Sequence, residues 1–193
     1  SSVMVGKLMG ENNTQDASNV FTKSIISVSL ISIVVCLILY LSLGNILDIL
    51  NVQDELREKT FLYLPILLVF LPLLMTAIVL DYFVRVDENP NLSFAALFLS
   101  SLINVGLDYL FIVKYDWGIS GAAYATGISQ AAIILILLPH FFSKKATLKL
   151  VKPSGSWLNI IQAVKNGVSE FVNESSAGIT VLIFNYIMLQ NFG

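Results

Sequence analysis

Ser24 to Gly44, SIISVSLISIVVCLILYLSLG, contains no charged residue, and this run decides the fold. Crossing the ~30 Å hydrocarbon core of a bilayer takes ~20 mostly apolar residues. Inside that core each backbone polar group has to be satisfied within the segment, which a helix does. Working outward, three more uncharged blocks follow: Thr60 to Leu80, Leu92 to Leu107 and Trp117 to Pro139. A fifth apolar stretch ends near Leu189. The expected fold class is all-α, a polytopic transmembrane helical bundle with spans at about 24–44, 60–82, 92–113, 119–141 and 167–189.

Composition agrees. Hydrophobic residues make up 56% of the chain and charged residues 12%, against ~25% charged in soluble domains. Mean hydropathy is +0.80. So few charges could not cover this much Leu, Ile, Val and Phe in water. The net charge of -2, with no basic residues interleaved with aromatics, excludes a nucleic-acid partner. Cys36 is the single cysteine, so no intramolecular disulfide can form. The chain carries no P-loop, no HExxH zinc motif and no Gly-x-Ser-x-Gly elbow, so no enzyme activity, no organic cofactor and no ATP-powered step is expected of it. Its first residues do not read as a signal peptide. Both ends read as cuts in a longer polypeptide, whose remainder is then an expected partner.

Between the spans the signals are local. Ser1 to Met9 reads as the last turns of an earlier helix, ended by Gly10, and Glu11-Asn12-Asn13-Thr14 supplies turn and N-cap chemistry. A polar helix from Thr14 to Lys23 leads into the first span. Gly44 to Lys59, with six charges, reads as a solvated connection. Pro65 and Pro72 interrupt the second span, and a proline there frees a carbonyl that neighbours have to satisfy. Asn89-Pro90 marks the next turn. Lys144, Lys145, Lys149 and Lys152 make Ser143 to Ser156 a basic linker, broken by Pro153-Ser154-Gly155.

Orientation follows from Lys and Arg on alternate sides. One side carries Lys7, Lys23, Arg85, Lys144, Lys145, Lys149, Lys152 and Lys165; the other carries Arg57, Lys59 and Lys114. The richer side is expected to be cytoplasmic. Tyr115, Trp117 and Trp157 fall at span ends, where amphipathic rings favour the headgroup layer.

Polar groups inside the spans are the candidate functional residues, because a mid-span carboxylate costs about 2.5–3.5 kcal/mol on insertion scales. Ser100, Asn104 and Asp108 recur every four residues and form one stripe. That stripe fits helix-to-helix hydrogen bonding or a functional acid. Glu170 and Glu174 share a helix face one turn apart, flanked by Asn173, and Glu174 lies about 10 Å past Gly167 at 1.5 Å per residue. Two close carboxylates in a low dielectric are costly to ionise together, which suits a proton carrier or a sodium ligand. A later helix start would instead leave Glu170 in water and Glu174 at the interface. Gln130 fits either an interhelical bond or a cavity lining. Gly118, Gly121, Ala122, Ala125, Thr126 and Ser129 read as a close-packing face, and Ser29, Ser32 and Cys36 as a mild polar one. His140 has no nearby His or Cys, so no metal site is expected beyond Na⁺ at Glu174. Asp81 and Arg85, one turn apart, are spaced for an interfacial ion pair.

Three stretches together carry a family resemblance: Arg85 to Pro90 (RVDENP), Ser101 to Ile112 (SLINVGLDYLFI) and Gly118 to Gln130 (GISGAAYATGISQ). In order and spacing the chain resembles the multidrug and toxic compound extrusion (MATE) transporters, and Gly6 to Gly10 resembles the end of that family's second helix. Tyr109 stands where the family often has proline, a departure expected only to soften a local kink. The resemblance implies a protein of twelve helices in two lobes. Residues 1–142 would belong to the N-terminal lobe, 143–156 to the cytoplasmic linker between lobes, and 157–193 to the start of the C-terminal lobe. It implies secondary-active multidrug efflux by Na⁺ or H⁺ antiport across a bacterial plasma membrane, with small amphipathic or cationic substrates and the lipid bilayer as partners. Glu174 matches by position the helix-seven acid of many members, with Glu170 one turn earlier. Two other readings stand beside it. A lipid-linked oligosaccharide flippase of the same superfamily would hold pyrophosphate on basic residues inside the spans, which this chain lacks. A non-transporting membrane subunit would tolerate Gln at both Glu170 and Glu174.

Overall fold

A computed structural model of the chain describes residues 1–50 and 52–192. Among them the elements are α1 (Ser2–Gly10), α2 (Thr14–Ile49), α3 (Asp54–Val86), α4 (Pro90–Asp108), α5 (Gly118–Leu137) and α6 (Leu158–Phe192). A π-helical turn, Tyr109–Lys114, extends α4, and a 3₁₀ turn, Leu138–Phe142, extends α5. No strand occurs among the described residues. Among the described residues four stretches are long and apolar enough to cross a membrane: Thr14–Ile49, Asp54–Val86, Pro90–Lys114 and Gly118–Phe142. The stretch expected as a fifth span, 167–189, falls on α6, a helix of 35 residues that is not among these four. The chain packs as two units, Ser2–Pro153 and Ser154–Gly193; the second is built on α6.

Helix starts follow the sequence signals. The Asn13 side chain accepts from the Asp16 backbone N–H at 3.2 Å and caps α2, after a turn in which Asn12 takes φ +58°. Asn89 caps α4 at 3.3 Å, and Pro90 fills the first turn, where its missing N–H costs nothing. The connection read over Gly44 to Lys59 is corrected. Helix α2 runs on to Ile49 and α3 begins at Asp54, so the link is only a few residues long. Charge there marks helix ends rather than loop. Asp54 and Glu55 occupy the first turn of α3, where the helix dipole favours carboxylates. Arg57 pairs with Asp48 at 2.5 Å, and Lys59 with Glu55 at 2.7 Å.

Packing within the first unit uses polar groups as well as apolar ones. The core joins Val5, Phe21, Phe83, Phe141 and Leu148, with the Phe21 ring 4.9 Å from Phe83 and 4.5 Å from Phe141. Helix α3 stays continuous through Pro65 and Pro72. Pro72 leaves the Leu68 carbonyl without a helical donor, and the Cys36 thiol of α2 donates to it at 2.8 Å. The Ser29 and Thr76 hydroxyls join the same two helices at 3.0 Å. Gly127 of α5 lets α3 approach closely, since a Cβ there would lie 2.2 Å from the Phe70 ring. Along the middle of α2, Leu30, Val34, Leu37, Ile38 and Leu41 stay exposed, the surface a lipid-facing helix presents.

Tyr109 is where α4 changes its hydrogen-bonding pattern. The α-helix gives way to the π turn at that residue, even though no proline forces it. The turn after it closes with the Trp117 N–H on the Phe111 carbonyl at 2.9 Å, Phe111 and Trp117 rings stacked 4.8 Å apart, and Gly118 at φ +55°.

The basic linker is fastened to the first unit. Asp87, with its side chain 1% exposed, accepts the Leu148 N–H at 2.9 Å and the Thr147 N–H at 3.1 Å. Further along, the Lys149 N–H donates to Ser18 Oγ at 3.2 Å and the Val151 N–H to Thr22 Oγ1 at 3.1 Å. Ala146 and Leu148 are buried.

Candidate functional site

Ser100, Asn104 and Asp108 share one face of α4, and the structure gives them different tasks. Ser100 is buried and donates to the Ser129 carbonyl of α5 at 2.7 Å, so it joins helices. Asn104 lines a cavity of about 200 Å³ between α4 and α5, together with Ser101, Thr126, Ser129 and Gln130. Asp108 is half-buried, and its Oδ1 is buried without a hydrogen-bond partner among the described residues. Buried polar atoms are nearly always satisfied, and an acid in a span is expensive unless it has a task. An oxygen acceptor left open within a span can hold a proton or a small cation, although Asp108 itself does not line the cavity. Gln130 lines the cavity, one of its two expected placements.

On α6, Asn173 and Glu174 are both exposed, one residue apart on the helix. The side chain of Glu170 lies outside the described residues. Among the described residues no three His, Cys, Asp or Glu side chains converge as a metal site would require.

A second polar cluster gathers at the α3–α4 turn. Asp81, buried, pairs with Arg85 as its spacing predicts, and Ser93 of α4 donates to the same carboxylate. Arg85 Nε also donates to Ser93 Oγ at 2.9 Å, and its guanidinium lies over the Tyr82 ring at 5.7 Å. Next to it, Nε2 of His140 meets Asp87 Oδ2 at 2.7 Å. Two backbone N–H groups already point at that carboxylate, so the imidazole nitrogen is the donor. The role of Asp87 was not visible in the sequence, because its partners are backbone groups some 60 residues away. The one available signal was an acid inside the RVDENP stretch.

The architecture and the sequence both have known counterparts. The solved structure described as "Crystal structure of MATE in the bent conformation" superposes with a TM-score of 0.88 at 21% identity, covering 98% of this chain and 43% of that one. Another, "Inward-facing conformation of a multidrug resistance MATE family transporter of the MOP superfamily", gives a TM-score of 0.81 at 21% identity over 86% of this chain and 39% of that one. These likenesses carry the fold. Among curated proteins, "Multidrug export protein MepA" of Staphylococcus aureus (strain bovine RF122 / ET3-1) is 26% identical over 193 residues, 98% of this chain. MepA of Staphylococcus saprophyticus is 24% identical over the same share. The chain spans 42% of the length of these relatives. The MatE family model matches residues 1–110, more than half of the chain, and the chain belongs to the MatE family.

Proposed function

We propose that this chain is part of a secondary-active efflux transporter, exporting small amphipathic or cationic compounds across a bacterial plasma membrane by antiport with Na⁺ or H⁺. The observation that carries the reading is the unpartnered buried Oδ1 of Asp108. It sits one turn from Asn104, which lines the polar cavity between α4 and α5. A carboxylate in this setting can take up a proton or a sodium ion from one side and release it to the other. Multidrug export by the MepA relatives supports the substrate class. Glu174, with Glu170 one turn before it, is the second candidate coupling acid, on the helix that would open the other lobe.

The test is gradient-driven efflux of a fluorescent organic cation from proteoliposomes holding the full-length protein. Asp108→Asn keeps the shape and removes the ionisable oxygen; Glu174→Gln does the same on α6. The reading expects wild type to respond to an imposed Na⁺ or H⁺ gradient and Asp108→Asn to lose that response with normal insertion. Full gradient-driven efflux in Asp108→Asn, with loss in Glu174→Gln, would move the coupling site to α6. No efflux from wild type under either gradient would overturn antiport itself.

A further inference from the structure

The linker lysines differ from most of the other cations of the first unit. Lys7, Arg57, Lys59 and Arg85 each pair with an acid. Lys144, Lys145, Lys149 and Lys152 are exposed, and none of their side chains pairs with an acid among the described residues. No acid occurs anywhere between Asp116 and Glu170. Four unneutralised ammonium groups thus stand within nine residues.

Their backbone is held in place. Asp87, Ser18 and Thr22 together accept four linker N–H groups, and the burial alternates: Ala146 and Leu148 point inward, while Lys145, Thr147 and Lys149 are exposed. A fastened backbone spends less ordering entropy when its side chains engage a partner. The linker also begins where the 3₁₀ turn Leu138–Phe142 ends the fourth span, which sets it at headgroup depth. Phe142, 70% exposed, stands beside Lys144. A cationic row at the edge of the hydrocarbon, with an exposed aromatic next to it, matches a molecule that is anionic at one end and apolar at the other.

We propose that the fastened linker is a docking platform for anionic phospholipid headgroups in the surrounding leaflet. The lysines hold the headgroup phosphates, and Phe142 lies along the first acyl carbons. Membrane attraction of about 1 kcal/mol per basic residue converts to about fivefold in affinity for each lysine.

Titration of the full-length protein in detergent with phosphatidylglycerol or phosphatidylcholine, read by native mass spectrometry, tests this. Wild type is expected to bind phosphatidylglycerol at least about tenfold more tightly than phosphatidylcholine, and Lys145→Gln and Lys149→Gln each to weaken it about fivefold. Lys7→Gln, which removes a paired cation from the same expected side, is expected to leave binding unchanged. Three results would overturn the proposal: equal binding of the two lipids, a Lys7→Gln loss matching the linker variants, or complete displacement by inorganic phosphate at equal concentration. The substituted side chains are exposed, and the one that is paired, Lys7 with Glu11 at 3.9 Å, makes a surface ion pair worth little to folding, so a folded variant is available for each arm.

Discussion

The Cys36 thiol donates to the Leu68 carbonyl at 2.8 Å, and that carbonyl is the one left open by Pro72, four residues further along α3. A proline in a span is tolerated when a neighbour satisfies the group it frees, and here the neighbour is a lone cysteine on α2. Cys36→Ala is therefore expected to lower the stability of the full-length protein by about 1–2 kcal/mol, with Cys36→Ser near wild type because the hydroxyl still donates. In a Pro72→Ala background the restored N–H takes over, so Cys36→Ala should then cost little. Thermal unfolding in detergent across the four-variant cycle checks the coupling; additive losses would refute it.

Gly127→Ala places a Cβ where the Phe70 ring already stands. The half-buried ring, edge-on to Tyr124 at 6.4 Å, has to turn aside or α3 and α5 have to part. The expected cost is about 1–3 kcal/mol or more, seen as loss of monodisperse protein on size exclusion. Phe70→Leu in the same chain should recover much of it.

Ser100→Ala removes the α4–α5 bond to the Ser129 carbonyl, which keeps only its own helix's donor. About 1 kcal/mol of stability should go, while gradient-driven efflux at temperatures well below unfolding stays at wild-type rates. An Asn104→Ala substitution, in the cavity rather than at the helix contact, is expected to show the opposite pattern. Efflux rates and unfolding midpoints measured on the same preparations separate the two.

Asp87→Ala deprives two backbone N–H groups and His140 of their acceptor. Leaving such donors unpaired costs about 1–3 kcal/mol. The local readout is sharper: amide hydrogen exchange at Thr147 and Leu148 should speed up by at least an order of magnitude. Unchanged protection at both would mean that the linker is held by Leu148 packing alone.

The first four spans were legible because an uncharged run of about twenty residues has few other solutions, and the caps at Asn13 and Asn89 because Asn before a helix has a local job. The charged stretch around Asp48 to Lys59 misled for a physical reason. Charge reports contact with water, and helix ends beyond a bilayer are as wet as loops. The stripe of Ser100, Asn104 and Asp108 was visible as a period of four, but periodicity could not divide it into one interhelical bond, one cavity wall and one open carboxylate. Those assignments depend on what α5 presents across the gap. Asp87 was hidden most fully, since no local pattern announces an acid whose donors arrive from backbone far along the chain.

Ser18, Thr22 and Asp87, which receive linker N–H groups, all precede the linker in the chain, and Leu148 completes the same core as Val5, Phe21 and Phe83. The linker is in this sense the last piece of the first unit rather than a tether to the second. During synthesis the unit can close as soon as Val151 has left the ribosome, while α6 is still being made. The four spans insert before the linker closes over them, so the order of translation serves as the order of assembly.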